Sequence, residues 1–119
     1  MIHDFQAGDF LVFQIESGFG LLRVLKVEFD DPEYVWHILL YRDLFPDIDS
    51  IEESLSNPGG LTIEIPHIAL TNRAFESTQL SKFGNLPLNN DEIAVLEQIG
   101  NSDEFEILDR SIRLILGIR

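Results

Sequence analysis

Three β-rich runs separated by two breakers occupy the first 41 residues, and this pattern limits what the chain can fold into more than any other feature. Residues 9–15 are rich in β-formers and lead into Glu16-Ser17-Gly18-Phe19-Gly20, where two glycines can supply positive φ for a tight turn. The return strand, 21–29, places Leu21, Leu25, Val27 and Phe29 on one face and Leu22 and Val24 on the other, so a sheet covered on both sides is expected to curve. Asp30-Asp31-Pro32-Glu33 interrupts the run, because proline fixes φ and lacks an N–H. The third strand, 34–41, is the most apolar and is expected at the centre.

The period then changes. Ile48, Ile51 and Leu55 recur at i, i+3 and i+7 with acids opposite, which predicts a short amphipathic helix over 46–55, capped by Asp47 or Ser50 and stopped by Asn57-Pro58-Gly59-Gly60. Residues 61–65 alternate as a strand with one wet face, Pro66 marks its end or a bulge, and a further short strand follows at 68–71. Residues 72–78 read as loop. Asn89 or Asn90 caps a helix over 91–99 whose stripe is Ile93, Leu96 and Ile99. Acids first and bases last predict a helix over 103–116, with Phe105, Leu108, Ile112 and Ile115 on one stripe; the rival reading is a strand at 105–108 before a shorter helix. The class is α+β: a strongly bent antiparallel sheet or small SH3-like barrel, with a short inserted helix and two C-terminal helices.

With 119 residues, 45% of them hydrophobic, and no cysteine, the chain reads as one domain whose core needs no disulfide or thiolate metal site. The net charge of −13 repels phosphate backbones and anionic lipid surfaces, which argues against nucleic acid and membrane as partners. No apolar run approaches the roughly 20 residues of a membrane-spanning helix. The opening Met1-Ile2-His3-Asp4-Phe5-Gln6 has neither the basic start nor the apolar stretch of a secretory signal, so a cytoplasmic location is expected.

Catalytic and cofactor motifs with a clear mechanical rationale are absent: no phosphate-binding loop, no dinucleotide fingerprint, no nucleophile elbow, no metalloprotease helix. His3, His37 and His67 are scattered, and no metal or cofactor is expected. Asp47-x-Asp49 lacks an oxygen ligand at the fifth position and glycine at the sixth of a calcium loop. Arg110 and Arg113 fit the C-terminal end of a helix dipole without an anion.

Three functional readings follow. Between Glu28 and Glu53, nine carboxylates against the single base Arg42 leave −8 in 26 residues. Within this stretch Asp30, Asp31, Glu33, Asp43, Asp47, Asp49, Glu52 and Glu53 are the candidate contacts for a basic protein partner in a non-enzymatic binding module. The alternative is a small ligand-binding domain or enzyme with a polar pocket formed by His67, Asn72, Arg73 and Glu76. A third is an accessory protein that forms a homodimer through an exposed apolar patch.

Gly8-Asp9-Phe10-Leu11-Val12-Phe13, the acidic and glycine-containing turn through Gly20, and Gly20-Leu21-Leu22-Arg23-Val24-Leu25 together resemble the opening of the immunity protein 26-like family of bacterial toxin-immunity systems. The resemblance covers about eighteen residues, 8–25. It implies a small non-enzymatic domain that binds and blocks a toxin, and an acidic inhibitor of a basic toxin suits the charge balance. It transfers no functional residue, since the matching positions are strand and turn.

Overall fold

The structure, a computed structural model, describes residues 5–30, 33–100 and 106–117. His3, Asp31 and residues 103–105 of the expected last helix lie outside that set. The first breaker makes a two-residue turn, Glu16-Ser17, between β1 (Asp9–Ile15) and β2 (Gly18–Asp30), so the return strand starts three residues before Leu21. Gly20 serves a different end from the one expected. Its φ is not positive, and a Cβ there would lie 2.3 Å from Cζ of the buried Phe13 ring, so the glycine makes room for an aromatic side chain.

The strand β3 (Glu33–Phe45) pairs with β2, with register shifts between Gly20 and Leu22 and between Val24 and Lys26. The second shift changes the face assignment made from strict alternation. Leu21 and Leu25 point into one core, but Val27 joins Leu22 and Val24 in the other, because a one-residue bulge reverses every side chain after it. Helix α1 (Ile48–Leu55) forms where the period predicts it, with Asp47 rather than Ser50 as N-cap: Asp47 Oδ1 accepts from the Ser50 amide at 2.8 Å. After a 3-10 turn at Pro58–Gly60, the two expected short strands are one, β4 (Ile63–Thr71), which carries Pro66 through a register shift against β3.

Two elements were not expected. Helix α2 (Asn72–Glu76) occupies part of the segment read as loop; Thr71 Oγ1 caps it by accepting from the Ala74 amide, and Phe75 stacks on Trp36 with ring centroids 4.0 Å apart. Strand β5 (Leu80–Asn85) pairs with β1 at the sheet edge. Helix α3 (Asn90–Gly100) follows, capped by Asn89. Of the two readings of the C-terminal segment, the strand followed by a shorter helix matches: β6 (Ile107–Leu108) pairs parallel with β4, and α4 (Ile112–Ile115) comes after it.

The fold is therefore mixed α+β, with strand order β5-β1-β2-β3-β4-β6 and β3 internal. The sheet is open, with β5 and β6 at its two edges, and does not close into a barrel. Apolar residues cover both sides. On the first face Leu11, Phe13, Leu22, Trp36, Ile38 and Leu70 pack with Phe75 of α2 and Ile112 of α4. On the second, Phe10, Leu21, Leu25, Leu39, Tyr41 and Phe45 pack with Ile51 of α1 and partly buried Leu96 of α3. Each large side chain fully withdrawn from water contributes roughly 1.5–3 kcal/mol, so both faces are structural before any function is considered.

Candidate partner-binding surface

Charged groups on the second face fall into three arrangements, and only one leaves charge unmatched. The first is a buried polar lock. Arg23, 3% exposed, sits on β2 with its guanidinium carbon 4.4 Å from the centre of the Phe10 ring. Its Nη1 donates to the Gly8 carbonyl at 3.1 Å, and its Nη2 donates to the carbonyls of Leu86 and Pro87 at 3.0 and 2.8 Å. Its Nε lies 2.7 Å from Glu92 Oε2, a contact of charge rather than an aligned hydrogen bond. Glu92 Oε1 accepts from the Asn89 amide while Asn89 Oδ1 accepts from the Glu92 amide, a capping box that starts α3. Beside it Asp9, fully buried, accepts from the Gln6 amide at 2.9 Å and Asn85 Nδ2 at 2.7 Å, with Lys82 Nζ at 3.2 Å. Burial pushes the Asp9 carboxyl up, but the hydrogen bonds from Asn85 and Gln6 and the Lys82 ammonium outweigh it and hold it below the usual carboxylate value. Gly8 has φ +91, and a Cβ there would lie 2.5 Å from the Leu86 carbonyl oxygen. The glycine, aspartate and arginine of the 8–25 pattern thus hold the chain entry, β5 and the 86–92 segment together.

The second arrangement is a histidine pair. His37 on β3 is buried, its Nδ1 is 2.8 Å from Nε2 of His67 on β4, and its Nε2 is 2.7 Å from Glu28 Oε1 on β2. The carboxylate favours the proton on His37 Nε2, which makes Nδ1 an acceptor for His67 Nε2–H. Burial holds both rings below the usual histidine value, His67 at about 4 with the neighbouring His37 adding to the effect; for His37 the Glu28 carboxylate opposes the burial without overcoming it. His67 shares its face with Ala69, opposite Ile68 and Leu70 of the first core. Asn72, Arg73 and Glu76 belong to α2, which packs on that first core. There Asn72 accepts from Trp36 Nε1 at 2.9 Å and donates to Glu76 at 3.0 Å, while exposed Arg73 pairs with Asp109, which also accepts from Thr71. The structure thus brings Asn72 and Glu76 together and puts His67 on the opposite side of the sheet.

The third arrangement is acidic and uncompensated. Glu33 and Asp43 both lie on β3, ten residues and about 33 Å apart at roughly 3.3 Å per residue, so the −8 stretch is two groups and not one field. One group, with Glu28, Asp30 and Glu33, is at the β2–β3 hairpin; Glu28 there is already engaged by His37 and Lys26. The other is Asp43, Asp47, Asp49, Glu52 and Glu53 at α1. From Asp43 to Asn72 the chain has no Lys or Arg, and the flanking Arg42 pairs with Glu64 at 2.9 Å. Among the described residues none of these five carboxylates has a cationic partner. Two of them have structural duties: Asp47 caps α1, and Asp43 Oδ2 accepts from the Thr62 amide at 2.6 Å. Asp49, Glu52 and Glu53 are exposed, as is Ile48 at the start of α1.

Two hollows flank the Pro58–Gly60 turn next to this group. One, of about 350 Å³, is lined by Asp43, Ser50, Glu53, Asn57 and Leu61. The other, of about 370 Å³, shares Leu61 and is lined by Tyr41, Ile63, Asp91 and the Arg23–Glu92 pair. Tyr41 stacks on Phe10 and is 94% withdrawn from water, but its hydroxyl is not among the buried polar atoms left without a partner. Burial pushes the phenol up to about 12, with Glu92 and Asp43 adding to the rise and Arg23 opposing it. Sequence reasoning missed Arg23, Glu92 and Tyr41. Signals existed for the first two: a lone cation between Leu22 and Val24, and the Asn89-x-x-Glu92 capping pattern. Among the described residues no helix is long and apolar enough to cross a membrane. Comparison with protein-family models, curated proteins and solved structures finds no match.

Proposed function

We propose that the chain is a non-enzymatic protein-binding module, an immunity-type inhibitor that meets a basic partner through the α1 end of the sheet. One observation carries the reading: among the described residues, five carboxylates without a cationic partner gather at and just before α1, with exposed Ile48 at the start of the helix. A patch with an apolar side chain among unmatched charges supplies both terms of an interface, desolvation for affinity and field for encounter rate. The resemblance of residues 8–25 to immunity proteins supports the same class, and the hairpin acids, about 33 Å away along β3, are left out of the contact.

The test is capture of a partner from extract on the immobilised protein, comparing the native chain with an Asp49→Asn/Glu52→Lys/Glu53→Lys variant. These three side chains carry no cap or backbone contact, so the variant stays folded, with its melting temperature moved by no more than several degrees. The native chain captures a basic protein that elutes as ionic strength rises from about 0.1 M to about 1 M, where the screening length falls from about 10 Å to about 3 Å. That protein, reconstituted, loses its activity when the native chain is added in equal amount and keeps it when the variant is added. Equal capture by native and variant chains overturns the assignment.

A further inference from the structure

We propose that the hollow between the end of β1, the segment joining α2 to β5, and helix α4 binds the carboxylate group of a small polar organic acid. The hollow, of about 700 Å³, has the size of small-molecule sites, roughly 300–1,000 Å³, and is lined by Gln14, Ile15 and Glu16, by Thr78 and Gln79, and by Arg113. Two of these residues carry a buried polar atom with no hydrogen-bond partner, Thr78 Oγ1 and Arg113 Nε. Thr78 is only 6% exposed. Unpaired buried donors are costly, most of all on a charged group, and both stand at the wall of the same hollow.

Charge and shape select the occupant. Arg23, Arg42 and Arg73 each pair with a carboxylate, whereas Arg113 makes no hydrogen bond or ion pair among the described residues. Helix α4 is only four residues long, so a helix dipole supplies little to hold this cation. A guanidinium has donors and no acceptor, and its planar fork takes the two oxygens of a carboxylate side by side. No polar contact pins the side chain, so rotation about its own torsions turns the Nε–Nη edge toward the opening. An ammonium would meet the guanidinium and leave Nε without an acceptor. A phosphate dianion suits the lining less well than a carboxylate: Arg113 is its one cation, and exposed Glu16 brings the lining to zero in a chain of −13. The amides of Gln14 and Gln79 and the Thr78 hydroxyl both donate and accept, with Ile15 the one apolar residue among the six, so the body of the acid is polar as well. The site is independent of the protein-binding reading, whose residues at α1 do not line this hollow.

The probe is glycolate, titrated into the full chain at fixed ionic strength and followed by the backbone amide signals and the Arg113 Nε–H signal, with its neutral isostere glycolamide and inorganic phosphate as controls. Glycolate moves the signals of Glu16, Thr78, Gln79 and Arg113 Nε–H saturably, with a dissociation constant on the order of 10 mM, as its few heavy atoms allow. Glycolamide and phosphate bind at least fivefold more weakly. Arg113→Gln weakens glycolate at least fivefold and Glu16→Gln tightens it, and both variants stay folded because neither side chain has a polar contact to lose. Thr78→Val puts a methyl in place of the unpaired hydroxyl; it weakens glycolate about twofold without lowering the melting temperature. Shifts that fail to saturate, glycolamide or phosphate matching glycolate, or an unchanged affinity in Arg113→Gln each overturn the carboxylate site.

Discussion

Arg23 and the α1 carboxylates lie on the same side of one sheet and are treated in opposite ways. At Arg23 every charge has a counterpart: Glu92 at 2.7 Å, three carbonyls, and beside them Asp9 with its own three donors. At α1 five carboxylates have no cationic counterpart among the described residues. The difference separates charge that builds the molecule from charge that is left for something outside it. A count of acids along the chain does not make that separation, since Glu92 and Glu53 enter it equally.

The largest expected effect breaks the matched side. Arg23→Ala leaves Glu92 buried without its cation and should cost about 3–5 kcal/mol in urea denaturation. Replacing both partners, Arg23→Met with Glu92→Leu, should recover much of this, because no uncompensated charge then remains. Removing charge at Asp49, Glu52 and Glu53 should move stability by only about 0.5 kcal/mol per site, as for surface positions generally. A loss under about 1 kcal/mol for Arg23→Ala, or an equal loss for the α1 variant, would erase the distinction.

What could be read beforehand followed the regularity of the side-chain period. The β1–β2–β3 meander and α1 came through because their apolar positions recur cleanly and Asp47 and Pro58 punctuate them. Val27 was placed on the wrong face because the bulge near Leu25 is a fact of strand pairing and leaves no local mark. Strand β5 was invisible for another reason: its residues Ser81, Lys82, Gly84 and Asn85 are poor strand formers, and β1 supplies the edge on which they pair. Helix α2 depends on the Trp36–Phe75 stack, a contact between residues 39 apart in sequence. The acids of the candidate surface were legible as charge, but their division into two ends required β3 to be known as one strand of 13 residues.

The histidine pair lies between the two regimes, matched to Glu28 yet titratable on the acid side of neutrality, and its pH response sharpens the comparison. Both rings are held below their ordinary value, so the unfolded chain binds protons more readily than the folded one. The His67 contribution to stability is complete above about pH 6.5 and is lost as pH falls toward about 4, and that of His37 is lost in the same direction. Allowing for the partial exposure of His67, the native chain should lose about 1 kcal/mol more between pH 7 and pH 5 than a His67→Gln variant does. Parallel stability curves for the two would remove the pair from the matched class and leave its burial unexplained.

The smallest effect divides the acidic region itself. Asp47 both caps α1 and adds to the unmatched charge, whereas Glu52 and Glu53 only add charge. Asp47→Ala removes both properties and should cost about 1 kcal/mol of stability. Asp47→Ser keeps an oxygen for the Ser50 amide and removes only the charge, so stability should return to near the native value. If the α1 group acts through its field, Asp47→Ser should slow association with the basic partner about as much as a single neutralisation at Glu53, and high salt should abolish the difference between them. If instead Asp47→Ala alone slows association while Asp47→Ser does not, the partner reads the position of the helix and not its charge. The five carboxylates would then be surface solubility, and exposed Ile48 at the start of the helix would carry the contact.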